Sequence, residues 1–380
     1  MKLIPYGKQH IDNKDIASVA KTLKKEKITT GDEVEKFEKE VSNYLKCKYS
    51  ATCNSGTSAL FLAMRSANIK KNDTIIMPSI NFISSYNVAK LFGAKIYLAD
   101  VDKVTGQMRP MDVLNCFNKF KLRKVKAIIV MYNGGYPQNA EKFFDLKRRF
   151  NFIIIEDACH ALGAKYIIKK NAYRVGCCKH SDISTFSLHP LKTITTGEGG
   201  LVTTNSRKID QRIKKLRSLG LKKFKGKHWI YDVVFQGFNF RLNDFQCALG
   251  ISQLKKINKF LEKRSKIAKI YNEELKKNSH ILTPNHLKNY LSSNHLYIIN
   301  IKKGSLKIKE NLIKYMLKNK IILQYHYIPI YKFKIFKDKY IGKNAELFYK
   351  TAVSLPIYFD LKKKDQRNII KKINNFFKIC

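Results

Sequence analysis

Three short stretches hold the residues best suited to chemistry. "SLHPLKTITTGEGG" (187–200) places Lys192 in a loop between the strand-like runs "DISTFS" and "GLVTT", with Gly197, Gly199 and Gly200 behind it. An amine in such a loop is partly withdrawn from water, which lowers its pKa and keeps it nucleophilic. "FIIIEDACHALGA" ends an apolar run on Glu156, Asp157 and His160. A carboxylate there could bind a metal, act as a base, pair with a protonated ring nitrogen or simply cap a turn. "CNSGTSAL" (53–60) follows the short run "YSATC" and opens a helix. Its Gly56 and Thr57 offer free N–H groups, a hydroxyl and the positive end of a helix dipole, which suit a phosphate. Each stretch alone is commonplace. Together they supply an amine for an aldehyde carbon, an acid for a pyridine nitrogen and a seat for a phosphate, the set that a pyridoxal 5'-phosphate enzyme requires.

The elements that must position them are legible. "TIIMP" (74–78), "AKIYLAD" (94–100), "VKAIIVMY" (125–132) and "FIIIEDA" (152–158) are apolar, rich in β-branched residues and bounded by turns. Such runs predict strands buried on both faces of a mainly parallel sheet. Helix-length segments at 57–67 and 139–150 lie between them, so the chain reads as wound α/β, with ligands at the carboxyl ends of the strands. Beyond residue 205, "RKIDQRIKKLRSLG" reads as a helix stopped near Gly220. Residues 243–277 read as one long amphipathic helix capped by Asn243 or Asp244. That helix is expected to join a large domain, 1–255, to a smaller α/β domain, 256–380.

Composition narrows the class. The chain has 380 residues and a formal net charge of +45. Lysine neutralising phosphates would explain the charge in a nucleic-acid binder. However, the lysines are spread along the length, and Ile, Asn, Tyr and Phe are abundant with them, the pattern that an AT-rich genome imposes on tolerant positions. No nucleic-acid partner is therefore expected, although a positive field would steer an anionic nucleotide substrate. The eight cysteines form no CxxC pair, so neither a disulfide framework nor a metal site is expected. No apolar leader and no membrane-length segment is seen, which predicts a cytoplasmic protein without a membrane partner.

With these motifs in place, the sequence resembles the DegT/DnrJ/EryC1/StrS family of sugar aminotransferases, from "IPYGKQHID" to "YKTAVSLPIY" (349–358). The resemblance implies a fold-type-I, pyridoxal-phosphate-dependent aminotransferase, with a mainly parallel central sheet and a smaller C-terminal domain. It implies that Lys192 bonds to the cofactor and shuttles protons, that Asp157 pairs with the pyridine nitrogen, and that His160 lies near the phenolic oxygen. Phe82, in "PSINFISS", would stack on the ring, and Gly56, Thr57 and Ser187 would hold the phosphate. Asn239, in "GFNFR", would reach the neighbouring subunit's site in a homodimer. Tyr6, the turn Lys27, Ile28, Thr29 and Thr30, and Gln324, Tyr325, His326 and Tyr327 would line the sugar-nucleotide side. Three further stretches, "GFNFRLNDFQCALGISQLKK", "SSNHLYII" and "QYHYIPIYKF", are most similar to members that aminate the C4 ketone of a UDP-linked 4-keto-6-deoxy-N-acetylhexosamine with L-glutamate, on the route to pseudaminic acid. "MYNGGYPQN" (131–139) departs from the family's usual stretch, so Tyr136 is expected to shape the pocket differently.

Overall fold

In a computed structural model, residues 2–224, 226–284, 289–338 and 340–379 are described. Two helices, α1 (Asn13–Leu23) and α2 (Asp32–Leu45), precede a run of alternating strands and helices. These are β1 (Tyr49–Cys53), α3 (Gly56–Ser66), β2 (Thr74–Pro78), α4 (Ser84–Leu91), β3 (Lys95–Ala99), α5 (Pro110–Lys119), β4 (Ala127–Met131), α6 (Ala140–Phe150) and β5 (Ile153–Asp157). A hairpin of β6 (Lys165–Ile168) and β7 (Asn171–Arg174) follows, then β8 (Ile183–Ser187), β9 (Gly200–Thr204) and α7 (Arg207–Leu216).

The central sheet has the order β1-β9-β8-β5-β4-β2-β3. From β8 to β3 every pairing is parallel, whereas β9 runs antiparallel to both β8 and β1. The expected strands are all present, and their continuous apolar character has the expected cause. Alternate residues of β2, β4 and β5 enter two different cores: Ile76, Ile128 and Ile154 pack on one face, Ile75, Ile129 and Ile155 on the other.

The later elements are β10 (Leu221–Phe224), β11 (Lys227–Val233), α8 (Asp244–Lys255), α9 (Ile257–Leu275), β12 (Ile281–Leu282), β13 (Tyr290–Leu291), β14 (Tyr297–Ile301), α10 (Leu306–Lys318), α11 (Lys343–Thr351), β15 (Ala352–Leu355) and α12 (Lys363–Ile379). Gly220, in the left-handed region at φ 72°, donates to the Lys215 carbonyl and turns the chain out of α7.

The single helix expected over 243–277 is two helices, because Lys256 (φ −101°, ψ 0°) ends α8 and starts α9. Lys256 Nζ is tied at this bend to Asp15, 2.6 Å away, and to Asp12, 2.9 Å away. α8 lies between α1 and α2 and buries residues around much of its circumference, whereas α9 turns Ile267, Tyr271 and Leu275 into another core. That core also takes in Ile4, which bridges to Ile321, together with β14, β15 and α12. The division expected at 255/256 coincides with this bend, yet contacts cross it, since β13 pairs with β6.

Candidate active site

Strand polarity delivers the three motifs to one place. β5 and β8 are parallel neighbours, with β8 running two residues beyond the partner of Asp157, while α3 starts just after β1. A cavity of about 720 Å³ opens there. Its walls include Gly56, Thr57, Phe82, Asp157, His160, Ser187 and Lys192, together with Tyr6, Gln324, Tyr325, His326 and Tyr327.

The alternation of β5 separates its two acids. Asp157 faces the cavity, whereas Glu156 faces the other side of the sheet, where it accepts hydrogen bonds from Tyr132 Oη (2.8 Å) and Ser184 Oγ. Burial raises the Glu156 pKa, and those hydroxyls oppose the shift. Asp157 is held by Ser85 Oγ, which donates to Oδ2 at 2.9 Å, with Asn81 Nδ2 at 3.5 Å. Among the described residues, the hydrogen bond at Oδ1 is a long one, 3.4 Å, from the Cys159 N–H. One carboxylate oxygen is therefore fixed and the other retains acceptor capacity for a ring N–H.

Lys192 sits in the β8–β9 loop, where its N–H closes a turn on the His189 carbonyl at 2.9 Å. Its amine makes no hydrogen bond or ion pair among the described residues. Burial lowers its pKa from the usual lysine value, and the neighbouring Cys159 and Asp157 oppose that shift. Gly200, behind it, has a steric reason. A Cβ on Gly200 would lie 2.2 Å from the Ser55 carbonyl oxygen, so only glycine lets β9 pass the chain that leads into α3.

At that helix start Ser55 caps α3, accepting from the Ser58 N–H at 3.0 Å. The N–H groups of Gly56 and Thr57 are among the donors that a helix start leaves free. Thr57 Oγ1 lies 2.9 Å from Ser84 Oγ, and a Cβ on Gly56 would come within 2.9 Å of Ser187 Cβ. Three hydroxyl residues, Thr57, Ser84 and Ser187, and bare backbone thus lie together, a cradle suited to a phosphate. Phe82 is not in the core: it is 53% exposed, on the cavity wall, with its ring 5.8 Å from that of Tyr327. An open aromatic face there suits a flat ring.

Burial disfavours the charged form of His160 and His326. Burial, then Lys192 and His326, push His160 well below its ordinary pKa. The Gly134 N–H points at His160 Nδ1 (3.3 Å), so Nε2 carries the proton and donates to Tyr327 Oη at 2.8 Å. Both nitrogens of His160 are thereby used inside the protein, and the hydroxyl hydrogen that this pair can offer the cavity belongs to Tyr327. Burial holds that hydroxyl well above the usual tyrosine pKa. Burial and Lys192 bring His326 down to about 3, and its Nδ1 meets Ser354 Oγ at 2.9 Å. His326 is therefore anchored on one side and open to the cavity on the other.

Some expected residues do not meet the cavity within one chain. Lys27, Ile28, Thr29 and Thr30 are exposed in a turn fastened to α8, where Asp244 accepts from the N–H groups of Gly31 (2.9 Å) and Glu33 (3.0 Å). Asn243 caps α8, and Asp244 caps α2 instead. Asn239 is exposed beside the α3 entrance, with Asn54 Nδ2 3.5 Å from its carbonyl oxygen. Tyr136 lies behind the wall and donates to the Leu296 carbonyl at 3.4 Å. Conversely, Ser84, Cys159, His295 and Glu198 line the cavity without having been expected there. His295 lies in "SSNHLYII", but only its 4.4 Å approach to the His160 ring gives it a role.

The model of the DegT/DnrJ/EryC1/StrS aminotransferase family matches residues 9–374. The chain belongs to that family. Members depend on pyridoxal 5'-phosphate, and the free Asp157 oxygen, the Gly56 cradle and the unbonded Lys192 amine fit that group. This family member is 37% identical to the UDP-4-amino-4,6-dideoxy-N-acetyl-beta-L-altrosamine transaminase of Campylobacter jejuni, over 96% of this chain and 95% of that one. It is 30% identical to the GDP-perosamine synthase of Escherichia coli O157:H7, with 99% of each covered. The solved structure of Helicobacter pylori PseC, an aminotransferase of pseudaminic acid biosynthesis, superposes with a TM-score of 0.91 at 30% identity, covering 100% of both chains.

Proposed function

We propose that the protein transfers the amino group of L-glutamate to the C4 ketone of UDP-2-acetamido-2,6-dideoxy-β-L-arabino-hex-4-ulose. The products are UDP-4-amino-4,6-dideoxy-N-acetyl-β-L-altrosamine and 2-oxoglutarate. The observation that carries this reading is that one cavity is lined by Lys192, Asp157 and Gly56 together with Tyr6, Gln324, Tyr325 and His326. The greater identity to the altrosamine transaminase than to the perosamine synthase favours a UDP-linked over a GDP-linked acceptor.

When bound, pyridoxal phosphate supplies an electron sink that acidifies the hydrogen on the carbon bearing the transferred nitrogen. Asp157, fixed by Ser85 and Asn81, keeps the pyridine nitrogen protonated through Oδ1. The backbone of Gly56 and Thr57, with the Ser84 and Ser187 hydroxyls, fixes the phosphate, and Phe82 covers one ring face. Lys192 Nζ removes the α-hydrogen of glutamate in the first half-reaction. It delivers a proton to sugar C4 in the second. Its lowered pKa keeps a larger neutral fraction available at neutral pH.

We read the working unit as a cytoplasmic homodimer with shared sites. Support comes from the exposed Asn239 and the exposed 27–30 turn, which a partner would carry to the facing cavity. The β10–β11 hairpin adds Trp229, Tyr231 and Val233, which are 65%, 63% and 57% exposed. Exposed apolar side chains at alternate positions of one strand are suited to burial against a second copy. No helix among the described residues is long and apolar enough to cross a membrane. Residues 1–255 and 256–380 are read as its two domains, with residues 4–6 packed on the second.

The test incubates the cofactor-loaded protein with L-glutamate and either the UDP-linked or a GDP-linked 4-keto-6-deoxy sugar, and determines the C4 configuration by NMR. An axial or equatorial assignment matching the altrosamine product supports the reading. Preference for the GDP-linked acceptor refutes it.

A further inference from the structure

Lys309, on α10, is fully buried. It takes part in no ion pair among the described residues. Its Nζ donates to the Tyr349 carbonyl and lies 4.1 Å from the centroid of the Tyr349 ring and 4.5 Å from that of Tyr325. The two rings meet edge to face, 6.0 Å apart at 86°. Tyr349 is braced from another side by Lys332, 5.4 Å from its ring, which pairs with Glu346 at 2.8 Å. Tyr325 in turn forms part of the cavity wall, and its N–H donates to Gln324 Oε1 at 3.1 Å.

An ammonium without a carboxylate partner is costly to bury. Leucine or methionine would fill the space without that cost. The compensation here comes from a carbonyl and two π faces, an arrangement that strengthens in a desolvated site and is directional. It holds the Tyr325 ring against Lys309 and Tyr349 while Tyr325 remains part of the cavity wall. Burial lowers the Lys309 pKa to about 8, with Glu310 opposing, so the cation persists at pH 7. None of its contacts is with Gly56, Thr57, Asp157, Ser187 or Lys192.

We infer that Lys309 is a positioning residue for the acceptor end of the cavity, clamping Tyr325 in the orientation that receives the sugar nucleotide. The inference rests on the acceptor reading above and predicts a selective defect. The test uses the full-length, cofactor-loaded protein and Lys309→Met, which keeps the length of the side chain without its charge. The glutamate half-reaction is followed alone by cofactor absorbance, and KM and kcat are measured for the UDP-keto-sugar. KM for the sugar rises about tenfold, while kcat and the glutamate half-reaction stay within about twofold. Lys309→Arg restores most of the affinity, and Lys309→Met combined with Tyr325→Leu is no worse than Tyr325→Leu alone.

An unchanged sugar KM, equal slowing of both half-reactions, or multiplying effects in the double variant overturns the inference. Should Lys309→Met not fold, Tyr349→Leu removes one face of the clamp without touching the cavity. A selective rise in sugar KM then supports the inference and an unchanged KM overturns it. Wild-type protein that is converted by glutamate but never aminates the keto-sugar overturns the acceptor reading, and this inference with it.

Discussion

Gly56→Ala gives a sharp test of the phosphate cradle. An added Cβ would stand 2.9 Å from Ser187 Cβ, 3.3 Å from Ser187 Oγ and 3.4 Å from Ser187 Cα. The Ser187 Cβ is fixed by the backbone of β8, which is bonded into the sheet, so rotating the side chain does not relieve the contact. Either the α3 start or Ser187 must retreat by about 0.5 Å to restore ordinary contact, which begins near 3.4 Å. A retreat of that size breaks one charge-assisted hydrogen bond to a phosphate, worth about 1.5–3 kcal/mol. Cofactor affinity should therefore fall roughly tenfold to a hundredfold. Equilibrium dialysis of the apoprotein against pyridoxal 5'-phosphate measures the fall, and pyridoxal, lacking the phosphate, serves as the control. The variant should lose affinity for the phosphate ester and little for pyridoxal. Equal losses for both ligands, or none for either, would refute the cradle.

Three further outcomes follow from the site. Asp157→Asn should lower the rate of the glutamate half-reaction by about a hundredfold or more with the fold intact, since a neutral amide no longer holds the ring nitrogen protonated; near-normal rates remove Asp157 from that role. Because burial lowers the Lys192 pKa, its deprotonated fraction rises at lower pH than that of an ordinary lysine, so the midpoint of aldehyde capture by the apoprotein should fall below pH 10.5; a midpoint at or above that contradicts the lowered pKa, and Lys192→Ala provides the blank. Tyr327→Phe removes the acceptor for the buried His160 Nε2–H and should cost about 1–3 kcal/mol of stability, read as a lower denaturation midpoint with unchanged slope; no loss would mean that the tautomer is otherwise satisfied.

Much of the site was legible because its residues lie in short linear motifs at strand ends. A buried parallel strand needs a continuous apolar run, and such a run ends abruptly where the chain must turn, so Asp157, Lys192 and the Gly56–Thr57 pair stand out locally. The helix break at Lys256 was not legible. The 243–277 pattern is helical on both sides of the bend, and what interrupts it is the capture of Lys256 by Asp12 and Asp15, more than 200 positions earlier.

The sequence by itself determined the strands, the chemistry of the loops after them and the family to which they point. Periodicity and turn chemistry are properties of neighbours along the chain. The tertiary structure decided which of two adjacent acids faces the cavity, that Ser85 and Asn81 hold it, that Tyr327 occupies His160 Nε2, and that Lys309 lies under Tyr325. Each of these joins side chains from separate elements, where the deciding quantities are distance, direction and exclusion of water. One lysine among 74 basic residues carries no mark of burial in its own neighbourhood. Only the packing of α10 against Tyr325 and Tyr349 sets Lys309 apart.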